Sequence, residues 1–139
     1  MPTTQPCNFT IPANSPNGAK LAGNGFNGRP TLQNGDSLQV IVRWGGSNPP
    51  SNLTGHFILS AGPGATNQTT PSPFVNGSKY VCHSIQTKPK DTSAPSYTFD
   101  AITYGGGQPG AFQLTFVVED SSTTPATQWS KDPEFDTGN

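Results

Sequence analysis

Little in this 139-residue sequence can carry a charge. Seven Lys/Arg and eight Asp/Glu make up 11% of the chain, for a formal net charge of −1. A chain so close to neutral has no electrostatic grip on a polyanion, so neither nucleic acid nor an anionic membrane is expected as a partner. Long apolar runs are also missing. None approaches the roughly 20 residues a spanning helix needs, and no membrane span is expected. The opening "MPTTQPCNFTIPANS" has no basic n-region and no apolar h-region. No signal peptide is read there, the default expectation is cytoplasmic, and secretion by a signal-free route stays open. Cysteine is sparse, with Cys7 and Cys82 alone, and two separate buried thiols are expected rather than a bridge. Helical periodicity is absent, because 16 Gly and 15 Pro interrupt nearly every window long enough for a helix.

What the chain does contain is two-residue alternation. In "SLQVIVRW", Leu38, Val40, Val42 and Trp44 share a face opposite Gln39, Ile41 and Arg43. "AFQLTFVV" sends Phe112, Leu114, Phe116 and Val118 inward and Gln113 and Thr115 outward. "SYTFDAI" groups Tyr97, Phe99 and Ala101 against Thr98 and Asp100. "GHFILSA" and "KYVCHSI" read as strands with less distinct faces, and short strands are expected near "CNFTI" and "TQWSK". Turn chemistry separates them: "LQNGDS", "GGSNPPSN", "VNGS" and "YGGGQPG". The longest stretch without a strand signal runs from Gly62 to about Ser72. The predicted architecture is all-β, an antiparallel β-sandwich of about seven strands with residues 1–139 in a single domain.

Candidate reactive groups do not assemble into a recognisable site. There is no G-x-S-x-G elbow, and His56 and His83, the two imidazoles, both fall inside predicted strands, where a hydrogen-bonded structural histidine is expected. Cys7, Cys82, His56 and His83 would supply four zinc ligands. Cys82 and His83 are adjacent in a strand, however, so their side chains leave opposite faces, and no metal site is assigned. The tail "SKDPEFDTGN" carries Asp132, Glu134 and Asp136 without the spacing of a calcium loop. Calcium would need further oxygens, for which Glu119 and Asp120 are candidates. The expectation is instead a solvated chain end in which Pro133 stops sheet pairing. "YGGGQPGAF" precedes a strand, so it offers no helix N-terminus to an anion and reads as a hairpin turn. No catalytic residues and no cofactor are expected, and the protein is not read as an enzyme.

Six of the seven basic residues lie in residues 1–90 and seven of the eight acids in residues 91–139. Greek-key connections interleave distant strands, so this asymmetry is expected to mix in space. Four N-x-S/T sequons, at Asn8, Asn52, Asn67 and Asn76, carry little weight in a chain so rich in Asn and Thr. A sugar-type contact combines an aromatic platform with hydrogen-bonding groups, and Trp129, Tyr104 and Asp132 are the candidates. Trp44 continues the Leu38–Val42 face and belongs with the core.

"FTIPANS" resembles the opening strand of calcium-dependent bacterial lectins, although "VVEDSSTTPATQW" lacks their Asp/Asn-dense loop. A calcium-free, carbohydrate-binding module is therefore the alternative reading. A wider pattern, "NGDSLQVIVRW", "YTFDAI" and "AFQLTFVVED" leading to "QWSKDP", resembles the bacterial inclusion-body protein family that includes PixA and AidA. The matching positions are Gly35, Asp36, Arg43, Trp44, Phe112, Leu114, Phe116, Asp120, Trp129, Asp132 and Pro133. The family's apolar opening strand is missing here. The resemblance implies a β-sandwich without known catalysis that can be stored as intracellular inclusions. Low charge gives self-assembly a physical basis of its own, since self-repulsion is weak. The expected partner is the chain itself, as a homo-oligomer, or a glycan or other surface ligand. A host-directed or pore-forming toxin is the third class. It is disfavoured because Pro63, Pro71 and Pro73 interrupt the one stretch that would form a membrane hairpin.

Overall fold

In the computed structural model, which describes residues 2–12, 18–46, 53–61, 73–76, 79–80, 86–88, 96–122 and 124–139, every assigned element is a β-strand. In chain order these are β1 (Thr4–Ile11), β2 (Ala22–Phe26), β3 (Thr31–Leu32), β4 (Ser37–Trp44), β5 (Leu53–Ala61), β6 (Phe74–Asn76) and β7 (Lys79–Tyr80). They are followed by β8 (Gln86–Lys88), β9 (Ser96–Thr98), β10 (Ile102–Tyr104), β11 (Gly110–Asp120), β12 (Thr127–Lys131) and β13 (Glu134–Thr137). One sheet has the order β2-β1-β4-β10-β6-β7, with β9 also on β4. The other has the order β3-β13-β11-β5-β8, with β12 also on β11.

Alternation decides which side chains face inward. Leu38 and Val40 on β4, Phe57 and Leu59 on β5, and Phe112, Leu114, Phe116 and Val118 on β11 are all buried. Rings from the two sheets meet between them. Phe9 of β1 stacks on Phe116 of β11 at 4.9 Å, Phe74 of β6 meets Phe112 edge-on at 5.2 Å, and Phe26 of β2 tilts against Phe135 of β13 at 5.5 Å. These cross-sheet pairs make one continuous apolar core, the defining contact of a two-sheet sandwich.

The all-β, two-sheeted expectation holds, with physical differences in detail. Thirteen strands are assigned among the described residues, because several are only two or three residues long and carry no readable period. The sheets are mixed and not purely antiparallel: β1 runs parallel to β4 and β13 parallel to β3. "SYTFDAI" is divided by a bulge. Ile41 faces Thr98 and Leu38 faces Ile102, so three steps along β4 match four along its partner. The extra residue reverses the inward phase, and Tyr97 and Phe99 give way to Ile102 and Tyr104. Much of "KYVCHSI", with Cys82 and His83, lies outside the described residues, as does the Gly62–Ser72 stretch. Cys7 is a free, fully buried thiol.

The tail needs the largest correction. Asp132, Pro133 and the residues beyond them do not end the sheet. Phe116 faces Lys131 in the β11–β12 pair and Gln113 faces Glu134 in the β11–β13 pair, so the same register continues across the break. Pro133 lacks an N–H, yet its carbonyl still accepts from the Leu114 N–H at 2.9 Å. The proline omits one donor of the ladder, and the buried ring of Phe135 anchors the strand that follows.

Candidate functional site

The 33–36 turn, the loop after β10, and residues 2–3 and 138–139 converge at one end of the sandwich. The turn forms because Gly35 adopts a φ of 95°, a conformation that L side chains rarely take, and the Asp36 N–H donates to the Gln33 carbonyl at 2.9 Å. Asp36 is largely buried, and its carboxylate accepts the Thr3 N–H on one oxygen and the Gln33 N–H on the other, each at 2.9 Å. Those backbone donors, Gln33 first and then Thr3, hold its pKa below the ordinary carboxylate value. Gly35 N–H donates to the Tyr104 carbonyl, Tyr104 N–H to the Asp36 carbonyl, and Asn34 N–H to the Asn139 carbonyl. The result is a rigid rim of backbone hydrogen bonds.

A cleft of about 300 Å³ opens beside this rim, lined by Pro2, Thr3, Gln33, Asn34 and Asp36. Gln33 and Asn34 are exposed. Amides that donate and accept, set around an ionised carboxylate, suit a neutral ligand rich in hydroxyl or amide groups.

The three residues singled out for ligand contact do not form one site. Trp129 is only 3% exposed, wedged edge-on against Trp44 with ring centroids 6.2 Å apart. Tyr104 has no exposed surface. Its hydroxyl donates to the Gly138 carbonyl at 2.7 Å and accepts the Gln108 N–H at 3.0 Å. Neither ring offers a face for stacking. They also lie at opposite ends of β4, with Tyr104 beside its start and Trp129 beside its last residue, separated by about 20 Å of extended chain. Asp132 is exposed, with its carboxylate accepting from Gln113 Nε2 at 3.0 Å. That bond covers Gln113, which was expected to be open to solvent and is only 9% exposed.

The candidate calcium oxygens are likewise dispersed. Arg29 binds Asp136 with two nitrogens and Glu134 with the third, all at 2.9 Å. Asp120 accepts from the backbone and hydroxyl of Ser122 at the β11–β12 turn, and Glu119 accepts from Gln128. Among the described residues no three His, Cys, Asp or Glu side chains converge as metal ligands. His56 sits on the outward face of β5, opposite Val117.

Asp36 was legible from the sequence as part of a turn, since Asn-Gly-Asp is turn chemistry. Its grip on Thr3 was not, because that partner is 33 residues away. No family model matches this chain, and neither a curated protein nor a solved structure is significantly similar to it.

Proposed function

We propose that this chain acts by non-covalent recognition, with the Gln33–Asn34–Asp36 cleft as the contact site for a neutral, hydrogen-bonding ligand such as a glycan. The observation that carries this reading is the pair of exposed amides around a carboxylate already fixed by two backbone donors. The hydrogen bonds that fix the turn backbone confine the ordering cost of binding to the Gln33 and Asn34 side chains. The non-catalytic part of the reading is supported by how the acids are used. Asp36, Asp120, Asp132, Glu134 and Asp136 each hold structural hydrogen bonds or ion pairs.

Glycan-array screening followed by calorimetry tests the proposal. Saturable binding that is lost in Gln33→Ala/Asn34→Ala, with the melting temperature unchanged, is the expected result. Binding that survives the double substitution would move the site elsewhere. Trp129→Ala is unsuitable as a binding test, because it removes a core ring.

Self-association is a second reading, favoured by the net charge of −1 and the 11% charged content. The resemblance to inclusion-body proteins points the same way. Among the described residues the two strand orders end in β2, with five residues, and the shorter β3, β7 and β8, so β2 offers the longest of these edges for pairing. Light scattering that reports monomer at all concentrations argues against this reading.

A further inference from the structure

The sequence contains five Asn–Gly pairs, of which Asn24–Gly25, Asn27–Gly28 and Asn34–Gly35 have their backbones among the described residues. An Asn side chain followed by Gly can cyclise, because no Cβ shields the following backbone nitrogen. Folding suppresses the reaction wherever that nitrogen is hydrogen-bonded or the chain cannot bend.

The three pairs differ sharply in this respect. Gly35 donates its N–H to the Tyr104 carbonyl at 2.8 Å, inside the rim described above. Gly25 is buried, pairs with Asn8 in the β1–β2 ladder, and lies so close under Pro133 that a Cβ there would sit 2.8 Å from the ring. Asn27 and Gly28 are both exposed in the bend between β2 and Pro30. Gly28 has a φ of 78°, nothing stands within 4 Å of where its Cβ would be, and its N–H makes no hydrogen bond among the described residues.

We propose that Asn27–Gly28 is a site of spontaneous deamidation, with solvent water as the co-reactant. The Gly28 nitrogen, having lost its proton, attacks the Asn27 side-chain carbonyl carbon and closes a five-membered succinimide. The bond to the side-chain nitrogen breaks, and ammonia leaves carrying that proton. Water then opens the imide at either carbonyl, giving aspartate or isoaspartate. Either product adds a negative charge two residues before Arg29. The isoaspartyl form also adds a methylene to the backbone that delivers Arg29 to Glu134 and Asp136.

The test ages the full chain in warm neutral buffer, folded and in urea, and locates the amide-to-acid mass change by tandem mass spectrometry. In the folded chain Asn27 converts about tenfold or more ahead of Asn34, the factor that one protecting hydrogen bond supplies, and also ahead of Asn24, whose neighbour Gly25 is packed under Pro133. In urea the three rates become comparable. Equal rates in the folded chain, or protection of Asn27 relative to urea, would overturn the assignment. Asn27→Gln disfavours the five-membered closure and removes the earliest mass change. Persistence of that change in the variant would also overturn the assignment.

Discussion

The Tyr104 hydroxyl joins two segments that have no covalent reason to stay together. It donates to Gly138 beyond β13 and accepts from Gln108 in the loop before β11, while Thr137 Oγ1 donates to the Gln108 carbonyl at 2.7 Å. Removing that oxygen leaves a part-buried carbonyl and a part-buried N–H without this partner. Tyr104→Phe should therefore lower stability by about 1–2 kcal/mol in urea unfolding, with the m-value unchanged. Asp36 gives a residue-scale effect that depends on pH. Its pKa is lower folded than unfolded, so its contribution is fully present above the ordinary carboxylate pKa of about 4 and is lost as pH falls through the lower folded value. Acid titration of the melting temperature should show this loss in the native chain, and a smaller acid dependence in Asp36→Asn. A variant with an unchanged acid profile would mean that the two backbone donors do not favour the charged form. Aromatic residues mark the limit of reading at this scale. Trp129 and Tyr104 looked like platforms because both rings combine an apolar body with a polar atom. Their burial depends on Trp44 and on Gly138, partners 85 and 34 positions away, which local pattern does not encode.

At the scale of elements, the long strands were legible and some of the short ones were not. β4 and β11 have 8 and 11 residues, enough for the two-residue period to stand out. β3, with two residues, contains no period at all and exists because a neighbour's edge accepts it, whereas β7 falls in "KYVCHSI", a stretch that reads as a strand. β13 was missed for a different reason: three acids and a proline outweighed Phe135 and Thr137, the two inward positions of the strand. The register across Pro133 depends on a glycine in the other sheet. Gly25, with a φ of 69°, leaves room for the Pro133 ring, and a Cβ there would lie 2.8 Å from Pro133 Cγ and 2.9 Å from its Cβ. Gly25→Ala combines that clash with an unfavourable left-handed backbone. It should destabilise by roughly 1–3 kcal/mol in chemical denaturation. Amide exchange should show faster opening of β12 and β13 than of β5. Uniformly faster exchange would mean that the contact supports the whole fold rather than this edge.

For the whole molecule, the described residues show one point at which the basic early part of the chain meets the acidic tail. Arg29, from the basic early part, is held between Glu134 and Asp136 of the acidic tail, and Lys131 Nζ reaches back to the Gly23 carbonyl. A net charge of −1 leaves little long-range field to keep copies apart, and the sequence isoelectric point of about 6.0 places the weakest repulsion in mildly acidic buffer. If self-association follows from that balance, the light-scattering interaction coefficient should be most attractive near pH 6 and should rise toward pH 8 at low salt. Arg29→Ala changes the formal charge from −1 to −2 and leaves two neighbouring carboxylates unneutralised. It should make the coefficient more repulsive at pH 8, and added salt should cancel that difference by screening it. A coefficient that ignores pH, salt and the substitution would show that association, where it occurs, comes from apolar or hydrogen-bonding faces. The outward strip of Ile58 and Val117 on neighbouring strands β5 and β11 would then be the first place to substitute.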